Sequence, residues 1–251
     1  MTASEAAVAP ASARQGGRVT EDVCVTSDTA AEPDQQTVET PAGDARITWH
    51  PAKRPRRVLA LGHGAGGGIE ARDLRALAAA LPPLGITVAL VEQPWRVAGK
   101  KPAPAPKTLD TGWRALWPAL EKPGLPVVAG GRSAGARVAC RTARELGAHA
   151  VLALSFPLHP PGRPEKSRAA ELLEAGVPTL VVQGGNDPFG RPDEYAELPG
   201  GAPGSVYELL EVPYGDHGFA VPKRAPLSQD EALDILTEGV AAWLAVPAAA
   251  R

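Results

Sequence analysis

The chain has 251 residues, 44% of them apolar and 22% charged, an ordinary globular balance and enough length to bury a core without disulfide or metal support. Its 26 Lys plus Arg against 28 Asp plus Glu leave a net charge of −2, which argues against a dedicated nucleic-acid or membrane-surface binder, since those need a basic excess. The two cysteines, Cys24 and Cys140, fit no zinc spacing and cannot make a disulfide framework. One Cys24–Cys140 bridge is conceivable, but a reducing, cytoplasmic setting is the simpler expectation. No basic-then-apolar leader opens the sequence and no apolar run reaches about 18 residues, so neither a signal peptide nor a transmembrane helix is expected.

Residues 1–34 read as a disordered tail, because no Leu, Ile, Phe, Trp or Tyr precedes Ile47. One domain is expected over 35–251. It starts with QTVET and ARITWH around the turn signal PAGD, a hairpin pattern. Apolar runs and helical patterns then alternate. RVLALGHG (57–64) is followed by the segment 71–85, with Leu74, Leu77, Ala78 and Leu81 at helical spacing until Pro-Pro stops the helix. ITVALVEQP (86–94) leads into a Pro/Ala/Lys loop. A helix over 108–122 aligns Trp113, Leu116, Trp117 and Leu120. LPVVAGG (125–131) precedes a helix over 134–147, and AVLALSFP (150–157) a short helix. PTLVVQGGND (178–187) precedes another over PDEYAEL, and SVYELLEVP (205–213) is the sixth run. A long helix over 228–245 closes the pattern, with Ser228 as N-cap and Glu231 as its capping-box partner. Strands apolar throughout imply a mostly parallel sheet covered on both faces. Their alternation with helices implies a doubly wound α/β fold.

The third apolar run ends in Gly131-Arg132-Ser133-Ala134-Gly135, a G-x-S-x-G sequence. With eight serines and 27 glycines in the chain, one chance match is roughly a one-in-ten event, so the pattern alone is weak. Its place between a strand and a helix that begins at once is the context such a nucleophile turn requires. The bland alternative is a glycine-rich turn whose serine caps the helix. A serine hydroxyl needs a base, and the base an acid to orient it. Downstream, Asp187 ends the fifth run and His217 follows the sixth. Both stand at strand C-termini, where parallel sheets collect ligand-binding groups. Asp193, Glu194 and Asp216 remain rivals for the acid, and Asp187 could merely cap a turn.

The first run ends in Gly62-His63-Gly64-Ala65-Gly66-Gly67-Gly68. Acyl transfer needs two backbone N–H donors for the developing oxyanion. Here they are expected from Ala134, after the serine, and from Ala65 in this loop. A phosphate-cradling loop is the alternative, but it lacks the Gly-Lys-Ser/Thr ending and the G-x-G-x-x-G frame with its acidic ribose partner.

Over residues 36–246 the chain resembles the α/β-hydrolase superfamily. The segments GHGAGGG, Pro94-Trp95-Arg96, GGRSAGARVA, FPLHPPGRP, VVQGGNDPFG and GDHGF resemble the small cap-less, dienelactone-hydrolase-like proteins. Eukaryotic relatives of that group include a subunit of the non-specific lethal histone-acetyltransferase complex. The resemblance implies Ser133 as nucleophile, Asp187 as acid and His217 as base. Dienelactone hydrolases themselves use cysteine as nucleophile, so serine here makes dienelactone a poor expectation for the substrate.

The expectation is a serine hydrolase cleaving a carboxylic ester or thioester, with no cofactor and no metal. Amide cleavage, or a non-catalytic interaction module on the same scaffold, are the alternatives. Arg132, Trp95 and His159 are candidate substrate contacts. If Arg132, Arg96, Lys100 and Lys101 converged, the mouth would favour an anionic ester; solvated or structurally paired charges are the alternative. Little chain separates the fourth and fifth runs, so no lid domain is expected. The oligomeric state is left open.

Overall fold

A computed structural model describes Met1, residues 34–198 and residues 207–246. Apart from Met1 and Asp34, the expected tail, Cys24 included, lies outside these residues, and Asp34 is already the first residue of a strand.

β1 (Asp34–Val38) and β2 (Ala45–His50) form the antiparallel hairpin, with Asp34 opposite Trp49. β2 then pairs antiparallel with β4 (Ile86–Glu92). β3 (Arg57–Gly62), β5 (Val127–Arg132), β6 (Ala150–Leu154), β7 (Thr179–Gly184) and β8 (Tyr207–Val212) complete an eight-stranded sheet of order β1-β2-β4-β3-β5-β6-β7-β8. Every pairing from β4 through β8 is parallel.

Both faces are covered, as the continuous apolar runs require. Side chains alternate across the pleat: Leu59 and Leu61 of β3 enter one core, Val58 and Ala60 the other. The first core is closed by α1 (Arg72–Ala80), through Leu74 and Leu77, and by α7 (Gln229–Ala245), through Leu236 and Val240. The second is closed by α3 (Pro106–Glu121), through Trp113, Leu116 and Leu120, and by α4 (Ala134–Thr142), through Val138 and Ala139. Each fully buried Leu or Val side chain contributes about 1.5–3 kcal/mol.

Most helices stand where the periodicity puts them, with informative differences. α3 starts at Pro106, because proline suits the first helical position. It also runs through Pro118, which sits on the exposed side of the helix and leaves the carbonyl of Arg114 without its helical donor. The helix expected over 134–147 is regular only to Thr142 and then turns, ending at Gly147 with φ +63°. The Pro/Ala/Lys loop opens with a single helical turn, α2 (Pro94–Val97). α5 (Ala169–Leu173) and α6 (Pro192–Ala196) are short. α7 carries its capping box: Glu231 N–H donates to Ser228 Oγ at 3.2 Å, and Ser228 N–H to Glu231 Oε2 at 2.8 Å.

The chain leaves β3 for β4 on one side and later returns to β5 on the other. The C-terminal ends of β3 and β5 therefore flank the point where strand order reverses, the place where open parallel sheets form a crevice. Between β6 and β7 stand only a 3-10 turn (Pro164–Lys166) and α5, so no cap domain covers that edge. Among the described residues no helix is long and apolar enough to cross a membrane.

Candidate active site

At the reversal point β5 runs into α4 through Ser133, whose backbone is forced to φ +54°, ψ −108°. A non-glycine residue there is strained by about 1–3 kcal/mol. The strain is held by packing. A Cβ on Gly131 would stand 2.6 Å from the Gly62 carbonyl oxygen, and one on Gly135 2.7 Å from the Gly62 carbonyl carbon. Only glycines let α4 begin against the end of β3, and this lifts the Ser133 side chain above the sheet.

Three strand ends meet there. His217 Nε2 lies 2.9 Å from Ser133 Oγ, and His217 Nδ1 lies 2.8 Å from Asp187 Oδ2. An ionised carboxylate only accepts hydrogen bonds, so Nδ1 carries the proton and Nε2 is left to accept from the serine hydroxyl. Asp187 is fully buried and both of its oxygens accept hydrogen bonds. Gln183 Nε2 donates to Oδ2 at 2.8 Å and Phe189 N–H to Oδ1 at 2.8 Å. The Phe189 ring stacks on His217 with centroids 4.1 Å apart. The rival acids are engaged otherwise. Asp216 Oδ1 accepts from the N–H groups of Gly218 and Ala220 within its own loop. Glu194 accepts from Arg191 N–H and pairs with His159. Asp193 is exposed on α6.

The glycine-rich loop after β3 crosses beside the serine: a Cβ on Gly64 would stand 3.4 Å from Ser133 Cβ. Ala65 is the next, exposed residue. Ala134 is the first residue of α4, and the first N–H groups of a helix have no partner within it. His63 fixes the loop from below. It is buried, accepts Gln93 N–H on Nε2 at 3.1 Å, and so donates Nδ1–H to the Gly64 carbonyl at 2.9 Å. Burial pushes its pKa down and keeps the ring neutral. Glu70 adds a clamp by accepting from Gly68 N–H at 3.1 Å and pairing with Arg96 at 3.3 Å.

The three candidate substrate contacts all have protein partners. Arg132 pairs with buried Asp73 and donates to the His217 carbonyl oxygen at 2.9 Å. Trp95 is buried and meets the His63 ring edge-on at 5.4 Å. His159 contacts the Pro160 carbonyl at 2.9 Å and Glu194 at 2.8 Å. The other basic residues have their own surroundings. Arg96 is tied to Glu70, Lys100 helps line a hollow of about 450 Å³ whose walls do not include Ser133, and Lys101 is exposed. Among the described residues no group of three or more His, Cys, Asp or Glu side chains offers a metal site. Cys140 is a free thiol buried in α4, its pKa pushed up to about 12 by burial.

Gln183, Phe189, His63 and Asp73 were not singled out by the sequence reading. Gln183 had a faint signal, a lone amide at the end of an otherwise apolar strand. Asp73 had none, since a charge in the first turn of a helix ordinarily faces solvent.

A mostly parallel sheet with a strained serine at its reversal point defines the α/β-hydrolase class of proteins. The chain belongs to the α/β hydrolase domain family, which it matches over residues 55–245. Its fold is similar to an α/β serine hydrolase without a lid from Xanthomonas campestris, at 21% identity and TM-score 0.64, over 86% of this chain and 96% of that one. It is also similar to dienelactone hydrolase from Anabaena variabilis (17%, TM-score 0.63, 86% and 98%). A third likeness is to Est1E of Butyrivibrio proteoclasticus with ferulic acid bound (14%, TM-score 0.65, 84% and 100%). Among curated proteins none matches the chain.

Proposed function

We propose that this protein is a serine hydrolase that cleaves a carboxylic ester or thioester through an acyl-enzyme. The observation that carries the reading is His217 within hydrogen-bond distance of Ser133 on one ring nitrogen and of Asp187 on the other.

Ser133 Oγ attacks the acyl carbon while its proton passes to His217 Nε2. The imidazolium so formed is stabilised by Asp187 at 2.8 Å. The tetrahedral oxyanion takes the N–H groups of Ala65 and Ala134. The intermediate collapses, its bond to the leaving group breaks, and the departing alcohol or thiol receives the proton from Nε2. Water then attacks the acyl-enzyme with His217 as base, releasing the acid and restoring the serine. In this reading Arg132, Trp95 and His159 brace the site, and the substrate need not be anionic, because Arg96 and Arg132 are paired with Glu70 and Asp73. The short β6–β7 connection leaves that edge of the site uncapped, which fits a soluble ester substrate better than an interfacial lipid. A cytoplasmic setting is part of the same reading, supported by the free, buried Cys140.

The test is turnover of a panel of nitrophenyl esters, acyl thioesters and nitroanilides by the wild type and by Ser133→Ala. Ester or thioester turnover lost in a folded Ser133→Ala supports the proposal, and activity retained in that variant refutes it. Turnover confined to nitroanilides would make the protein an amidase.

A further inference from the structure

Asp73 is at odds with its surroundings. It lies in the first turn of α1, on the face that buries Leu74 and Leu77, and is fully buried. Neither of its oxygens makes a regular hydrogen bond. Burial drives its pKa up, and the Arg132 charge and the N–H groups of Asp73 and Leu74 only partly oppose this. A buried carboxylate opposed only by the charges of Arg132 and Arg72 costs stability that an apolar residue of similar volume would not. Such a local violation is expected where function requires it.

Its partner is the residue directly before the proposed nucleophile. Arg132 Nε lies 3.5 Å from Asp73 Oδ2, and Arg132 Nη2 donates to the His217 carbonyl oxygen at 2.9 Å. The guanidinium is largely buried and stands close to both loops because Gly218 and Gly64 have no side chains. A Cβ on Gly218 would stand 3.1 Å from Nη2, and one on Gly64 3.5 Å from Nη1. One planar group thus touches the glycine-rich loop and the histidine loop while joined through its own backbone to Ser133. The histidine loop needs such a hold, because Tyr214 and Phe219 on either side of His217 have φ of +59° and +54°.

We propose that Asp73 and Arg132 form a strut that sets the position of His217 relative to Ser133, so that turnover depends on the pair more than folding does. The proposal rests on the serine-hydrolase reading above. Asp73 fixes the guanidinium from α1, the guanidinium fixes the backbone of His217, and the arginine backbone carries the nucleophile. Base and nucleophile are thereby tied by one side chain as well as by their own hydrogen bond. Asp73 and Arg132 are positioning residues in this scheme and touch no substrate.

The test compares wild type, Asp73→Asn, Arg132→Met and the double variant Asp73→Leu/Arg132→Met. It follows the rate of covalent labelling by a fluorophosphonate, kcat and KM on an ester, the melting temperature, and the downfield proton resonance of His217 Nδ1–H. The single Arg132→Met strands a buried carboxyl and can fail to fold, and the double variant removes both groups at once. The strut predicts that the folded double variant, which removes both charges, melts at or near the wild-type temperature. It predicts labelling and kcat slowed by about 10–100-fold, KM nearly unchanged, and a broadened or lost Nδ1–H resonance. Labelling within twofold of wild type in the folded double variant overturns the strut. So does a rise in KM at constant kcat, which would make Arg132 a substrate contact. Failure of the wild type itself to label overturns the serine-hydrolase reading instead, and the two failures are therefore distinct.

Discussion

Gly135, the second residue of α4, rests directly on Gly62 at the end of β3: a Cβ on Gly135 would stand 2.7 Å from the Gly62 carbonyl carbon. This contact sets how closely the nucleophile turn approaches the strand that leads to the glycine-rich loop. Gly135→Ala must push β3 and α4 apart. The expected result is a loss of about 1–3 kcal/mol in urea unfolding, with fluorophosphonate labelling slowed in whatever fraction stays folded. A Gly135→Ala variant that unfolds and labels like wild type would show that the elbow tolerates a looser fit.

Gln183 donates from one amide nitrogen to both Asp187 Oδ2 and the Gly190 carbonyl, each at 2.8 Å. Gln183→Leu keeps most of the volume but leaves two buried acceptors short of a donor. A loss of about 1–3 kcal/mol follows, together with a fall in kcat, since the loop that carries Asp187 is no longer pinned. Denaturant melts and steady-state kinetics on one ester measure both.

The two buried histidines outside the proposed triad give stability slopes of opposite sign with pH. His63 is held neutral, its pKa lowered from the ordinary histidine value mainly by burial. Its contribution is complete above the unfolded value and is lost as the pH falls through the folded one. His159 has its pKa raised: desolvation opposes this, but the Pro160 carbonyl and Glu194 outweigh it. Its contribution is complete below its unfolded value and is lost as the pH rises through the folded one. Urea titrations of His63→Gln at pH 5 and 7 should therefore show a smaller acid loss than wild type. His159→Gln should show a smaller loss than wild type between pH 6 and 8. Parallel curves for a variant and wild type would contradict the corresponding contact.

Much of this was legible in the chain because the relevant signals are local. The strand-turn-helix around Ser133, the strand ends at Asp187 and His217, and the apolar faces of α1 and α3 depend on neighbours within a few positions. What periodicity could not show was pairing at long range. Arg132 reads as a charge at the rim, yet its partners are Asp73 and the backbone of His217, 59 and 85 residues away in sequence. Trp95 and His159 likewise looked available for substrate, and each is held by a neighbour from another loop. α3 began earlier than its apolar face because Pro106 starts the helix without adding to that face.

The central claim is that Ser133 is activated by His217 and becomes acylated. The most direct measurement is mass spectrometry of the protein quenched in acid during reaction with p-nitrophenyl acetate, with peptide mapping of the adduct. The account predicts one acetyl group on the peptide containing Ser133, absent in Ser133→Ala, and formed roughly 10⁴-fold more slowly in Asp187→Asn, where the imidazole loses its orienting carboxylate. A folded wild type that carries no acetyl group, or one that carries it on another residue, would contradict the account.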